Sequence, residues 1–103
     1  MTAIILADIL EAFGLGGPSP VRAATALLET LRRQPDAGEP QHRAAHNAMV
    51  LNLAQARPVE SMRAMFASAP PDVAMLLLAR LVLVGEPAER IKEYAPTAQR
   101  RAA

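Results

Sequence analysis

The stretch Asp72–Gly85, reading Asp-Val-Ala-Met-Leu-Leu-Leu-Ala-Arg-Leu-Val-Leu-Val-Gly, leaves this chain few ways to fold. Between Val73 and Val84 only Arg80 is polar, so the segment has almost no face to show to water. A helix apolar on all sides belongs inside a packed structure. Twelve residues rising about 1.5 Å each span roughly 18 Å, well short of the ~30 Å hydrocarbon layer of a bilayer. Pro70-Pro71 and Asp72, read as an N-cap, mark its start, and Gly85, read as a left-handed C-cap, marks its end. A buried strand is the competing reading, but Ala, Leu and Met outnumber β-branched residues here, and the stretch is read as a central helix.

The rest of the chain supports an all-α class. Its apolar fraction of 51% includes 22 alanines and only three aromatic residues, Phe13, Phe66 and Tyr94, so the core has to be built from thin helix walls. At 103 residues one domain is expected, over residues 1–96, with a disordered basic tail over 97–103. The absence of cysteine excludes disulfides, thiol catalysis and thiolate metal sites. A net charge of +1 supplies no bulk field for nucleic acid or an anionic membrane. Asp8 and Glu11 interrupt the apolar N-terminal run, which argues against a signal peptide, and no segment reads as membrane-spanning. The default expectation is a soluble, cytoplasmic protein of bacterial or phage-like type.

Six short helices follow from the punctuation and periodicity. The first runs from Thr2, read as its cap, to Phe13, with Ile5, Leu6, Ile9, Leu10 and Phe13 inward and Asp8 and Glu11 opposite. Gly14, Gly16, Gly17 and Pro18 end it. Ser19-Pro20 restarts the chain as cap and first helical residue, and the second helix reaches about Gln34 with Val21, Ala24, Leu28 and Leu31 inward. Pro35–Pro40 is a turn-rich connector. A third helix spans about 41–56, with Ala45, Ala48, Met49 and Leu53 inward. Pro58 opens a fourth that reaches Ser68 and buries Met62, Met65 and Phe66. The central helix is the fifth. Pro87 opens the sixth, with Ala88, Ile91 and Ala95 inward, Tyr94 at the margin and Pro96 as its stop.

An internal echo organises these helices. Pro58-Val59-Glu60-Ser61-Met62-Arg63-Ala64-Met65 matches Pro87-Ala88-Glu89-Arg90-Ile91-Lys92-Glu93-Tyr94 at an offset of 29 (87 minus 58). Pro and Glu coincide, an apolar residue stands at the fifth and eighth positions, and a basic residue follows the fifth. Pro20–Leu27 fits the same frame less well. Proline at the start of a helix loses no hydrogen bond and presets φ, and a short break before it favours an antiparallel pair. Three antiparallel hairpins, stacked as a short solenoid or gathered as a compact helical bundle, are therefore expected. Convergence is the alternative, since proline opens helices widely.

The segment Ala44–Tyr94 resembles two degenerate tetratricopeptide-type helical hairpins. Gly85 and Ala56 stand where that repeat keeps a small residue in its turn, Phe66 or Met65 and Tyr94 near its large apolar position, and Pro70 near the proline that closes a repeat. The chain departs from the pattern in lacking Trp, in placing Met49 and Leu78 at the close-packing position, and in its spacing, 29 against about 34. The resemblance implies a TPR-like binding scaffold, an adaptor or chaperone, and in size alone the chain is similar to the small helical chaperones of type III secretion.

Candidate chemistry is sparse. His42 and His46 have the i, i+4 spacing of a zinc-binding helix, but Arg43 stands where a metalloprotease keeps Glu, and only Asp36 or Glu39 is near as a third ligand. No metal and no cofactor is expected. The Gly-Leu-Gly-Gly run at Gly14–Gly17 follows a helix and lacks the Lys-Ser/Thr ending of a phosphate loop. Lys92 reads as exposed, no nucleophile has a recognisable setting, and an enzyme is not expected. Arg32, Arg33, Arg43, Arg57, Arg100 and Arg101 offer an Arg-rich edge for a nucleic-acid reading, or merely solvated helix faces. Met49, Met62, Met65 and Met75 suit either gap-filling or a groove that accepts another helix. The expectation is a protein-binding module holding a partner's helix or peptide, or a second copy of itself, with Met62, Met65, Phe66, Met75, Arg80 and Tyr94 as the contact residues. Arg80, alone in the apolar helix, has to reach water or a carboxylate.

Overall fold

The computed structural model describes residues 2–34, 47, 50, 51 and 58–96. Five helices have defined bounds: α1 Thr2–Ala12, α2 Pro20–Arg33, α3 Pro58–Ser68, α4 Pro71–Leu83 and α5 Ala88–Glu93. Asn47, Val50 and Leu51 are also helical, within the span expected for a helix over 41–56. The rest of that span, the connector 35–40 and the tail 97–103 lie outside the described residues. No strand occurs among the described residues, as the all-α class requires, and none of their helices is long and apolar enough to cross a membrane.

Local chemistry sets the helix ends. Ser19 caps α2, its Oγ accepting the Arg22 N–H at 3.4 Å, with Pro20 as the first helical residue. The start of α4 differs from expectation. Its cap is Pro70, Pro71 is the first helical residue, and Asp72 sits inside the first turn. Pro70 and Pro71 carry no N–H, so two of the unpaired donors of an ordinary helix start are absent, and the Asp72 carboxylate faces the positive end of the helix dipole. Arg80 lies in the last turn, where a cation faces the negative end.

The C-terminus of α4 closes in a Schellman motif. The Gly85 N–H donates to Val82 O at 3.1 Å and the Glu86 N–H to Leu81 O at 3.1 Å, with Gly85 at φ 89°. The end of α1 repeats it through Gly14 and Leu15, which donate to Glu11 O and Leu10 O at 2.9 and 2.8 Å. A Cβ on Gly85 would meet no atom within 4 Å, so replacing it strains only the backbone. Gly85→Ala is therefore expected to cost about 1 kcal/mol and Gly85→Asn less, because Asn tolerates the left-handed region. Equal thermal stability of the alanine variant and wild type would count against this cap.

The core gathers around α1 and α4. α4 buries Val73, Ala74, Leu76, Leu77, Leu78, Ala79 and Leu81, residues from every side of the helix. α1 adds Leu6, Ala7, Ile9 and Leu10, while Ile5 and Val21, both expected inward, are exposed. From α2, Ala24 and Leu31 are buried and Leu28 packs at the edge. Contacts join α1 to α2, α4 and α5, and α4 to α2 and α5. The first hairpin thus packs directly on α4 and α5, whereas a linear stack would confine each hairpin to its neighbours. The described helices form a bundle.

α3 joins this bundle through side chains. Its Phe66 meets Phe13 edge to face, with ring centroids 5.1 Å apart and planes at 69°, a preferred aromatic geometry. Met62 and Phe66 are buried, and Met65, expected inside, is only partly so.

Candidate partner-binding surface

The contact residues expected from the sequence divide into two groups. Met62, Phe66 and Tyr94 lie inside the core, with Met62 at 0% and Tyr94 at 1% exposure, so in this arrangement none of them offers a face to a partner. Met65, Met75 and Arg80 are partly buried at its edge. Tyr94 is the clearest correction, since it was expected at the margin. α5 ends at Glu93, and Tyr94 follows as its cap in a helical conformation, φ −80° and ψ −4°. That places it three residues after Ile91 on the same side of the chain, and both are buried together with Ala95.

α5 is consequently a short amphipathic helix seated on a larger body. Its apolar anchors are Ile91, Tyr94 and Ala95, at i, i+3 and i+4. Polar contacts tie it down at each side. The Lys92 ammonium, half-buried rather than exposed, forms an ion pair with Asp8 of α1 and lies 3.5 Å from Glu89 Oε1. The Arg63 Nε–H of α3 donates to Glu93 O at 2.6 Å, occupying a carbonyl at the helix end that no helical N–H can reach. Arg63 and Lys92 are the equivalent basic residues of the sequence echo, and each bridges two helices. The echo marked both residues; what each touches depends on packing and had no signal in the sequence.

An open cleft of about 350 Å³ runs beside this helix, lined by Pro58, Val59, Glu86, Arg90, Glu93 and Tyr94. Glu86 and Arg90 approach to 3.7 Å within it. Small-molecule pockets are mostly enclosed and apolar, and this polar, open cleft is neither. Burial holds the Tyr94 hydroxyl above its ordinary 10.0; the Glu86 charge raises it further, Arg90 opposes, and Glu93 and a hydrogen bond to Glu86 add to the rise. The Lys92 ammonium lies above its ordinary 10.5 because of its hydrogen bond to Asp8; burial opposes this, and the charges of Asp8 and Glu89 reinforce it.

Both groups hold their proton more tightly in the folded state. The stability they add is complete below their ordinary values and is lost as pH rises through the raised ones. The melting temperature is therefore expected to fall only as pH rises above about 10, past the ordinary values of the two groups. The chain has one tyrosine and no tryptophan, so tyrosinate absorption reports Tyr94 directly. A native-state titration at the ordinary tyrosine value would contradict its burial.

The other expected sites contribute less. Arg32 and Arg33 are exposed and share Glu29, at 3.8 and 3.0 Å, so their charge is partly neutralised. Arg43, Arg57, Arg100 and Arg101 lie outside the described residues, as do His42, His46, Asp36, Glu39 and Met49. Among the described residues no three His, Cys, Asp or Glu side chains converge to hold a metal ion. The glycines of the Gly14–Gly17 run connect two helices, α1 and α2. Leu83 and Val84, at the end of α4, are 54% and 75% exposed.

No protein-family model matches the chain, and neither a curated protein nor a solved structure matches it.

Proposed function

We infer that this chain is a non-enzymatic interaction module that holds a partner's amphipathic helix or peptide against an apolar face of the α1–α3–α4 body. The observation that carries the reading is the seating of α5, in which three apolar residues at helical spacing and one cation dock a short helix onto that body. A surface that accepts one such helix has the chemistry to accept another. Met65, Met75 and Arg80, partly buried at the rim, are the residues through which a partner would be felt first, and flexible thioethers suit such a role. Binding a partner helix is also the work that the tetratricopeptide resemblance implies.

The test is capture of a partner from a lysate of the cells that make the protein, with wild type and a Met65→Asp variant as baits. Met65→Asp is expected to keep its helical circular dichroism and to lose the captured protein by about tenfold or more, as for loss of a contact worth about 1.4 kcal/mol. If nothing is enriched, or both baits enrich the same protein equally, the module does not work through this surface.

A further inference from the structure

We propose that α5 is a displaceable plug, which undocks as a unit while the remaining helices stay folded and so uncovers the face that a partner helix takes. The inference rests on the partner-binding reading for its purpose but not for its geometry.

Four observations point the same way. α5 has six residues, under two turns, too few to be a stable helix without the surface beneath it. Its hold is one compact footprint: Ile91, Tyr94 and Ala95 below with Ala88 packed beside them, Lys92 against Asp8 on one side, and Arg63 against Glu93 O on the other. The open cleft against Pro58 and Val59 runs along one flank, so α5 has no neighbour on that side although Tyr94 itself is buried. Finally, the turn before it ends α4 by its own hydrogen bonds at Gly85 and Glu86, so α4 keeps its closure when α5 leaves. Local opening of short units at the edge of a fold, without global unfolding, is how proteins expose binding surfaces.

The plug also specifies what replaces it. The occupant is an amphipathic helix with apolar side chains at i, i+3 and i+4, in the places of Ile91, Tyr94 and Ala95, and a cation one residue after the first, positioned for Asp8. The carboxylate of Asp8 is itself well exposed, so a second cation can approach it as Lys92 departs. The partner would compete with α5, and its apparent affinity would be reduced by the fraction of molecules that are closed.

Hydrogen exchange on the full-length protein tests this. The amides of Ile91, Tyr94 and Ala95, bonded to Pro87 O, Ile91 O and Lys92 O, are expected to exchange together, at least about 100-fold faster than those of Leu77 and Leu78. Lys92→Glu should accelerate the α5 amides by about a further tenfold and leave α4 unchanged. Bridging Asp8→Cys and Lys92→Cys with a bis-maleimide, in a chain that has no other cysteine, should slow them to the rate of α4. A synthetic peptide of residues 86–96, added at high concentration to the Lys92→Glu protein, should shift α1 and α4 resonances, and the same peptide carrying Ile91→Asp and Tyr94→Asp should not. The proposal is overturned if α5 exchanges only with α4, if its amides fray one by one, or if the two peptides act alike. Fast, concerted α5 exchange with no captured protein would remove the partner reading and leave the plug standing.

Discussion

Leu78→Ala is expected to lose about 3 kcal/mol of folding stability, which for a domain of this size lowers the melting temperature by roughly 12–24 °C. Leu78 is 0% exposed in the middle of α4. That helix packs on α1, α2 and α5, so the atoms removed leave a cavity walled by several helices that cannot all collapse into it. The control is Leu83→Ala, the same chemical change five residues along the same helix. Leu83 is half-exposed at the last turn, and its truncation should stay within about 0.5 kcal/mol. Helix propensity favours Ala slightly over Leu at both positions, so the difference isolates burial. Thermal unfolding followed by circular dichroism decides it, and similar losses in the two variants would mean that α4 is not the centre of the core.

Met62→Asp should be more damaging still. Met62 is fully enclosed, and a carboxylate placed there must either stay charged without water or take up a proton, at a cost of about 4 kcal/mol or more. Against a total stability of roughly 5–10 kcal/mol this leaves a large unfolded fraction. Met65→Asp, three residues away and only partly buried, can turn its carboxylate to solvent and should cost about 1 kcal/mol. The pair separates the two roles that methionines were given from the sequence: Met62 fills the core, and Met65 is free to serve a surface. A Met62→Asp protein that melts like wild type would show that Met62 is accessible and would restore it to the groove.

Much of the fold was legible because it is written locally. Ser19-Pro20 and Gly85 are legible as helix ends because a cap depends on one or two residues and their own dihedral angles. Asp72 is not the cap because Pro71, with φ preset for a helix, already opens α4 one residue earlier. The offset echo placed a fully buried residue at both of its fifth positions, Met62 and Ile91. Its eighth positions diverge, with Met65 at the edge and Tyr94 enclosed, because each helix meets a different neighbour.

The contact surface was less legible. Apolar character alone marks residues for burial and for binding equally, since the hydrophobic effect has no direction. Met62, Phe66 and Tyr94 carried the same signal as Met65 and Met75, and only packing sorted them. Lys92 read as solvated because its partner Asp8 stands 84 positions earlier (92 minus 8) in the chain. Arg63 similarly finds Glu93 O across a separation of 30 residues.

By itself the sequence determined that this chain is helical, where its described helices begin and end to within a residue or two, and that Val73–Val84 runs through the middle. Those properties follow from hydrogen-bonding groups, dihedral limits and apolar spacing within a few residues. The tertiary structure alone decided that α1 shares the centre with α4, that α2 also packs on α4, and that α5 lies against both α1 and α4. A stripe of apolar residues requires a cover, but many helices of similar stripe satisfy that requirement, and the choice among them is made by fit and by long-range pairs such as Asp8 with Lys92.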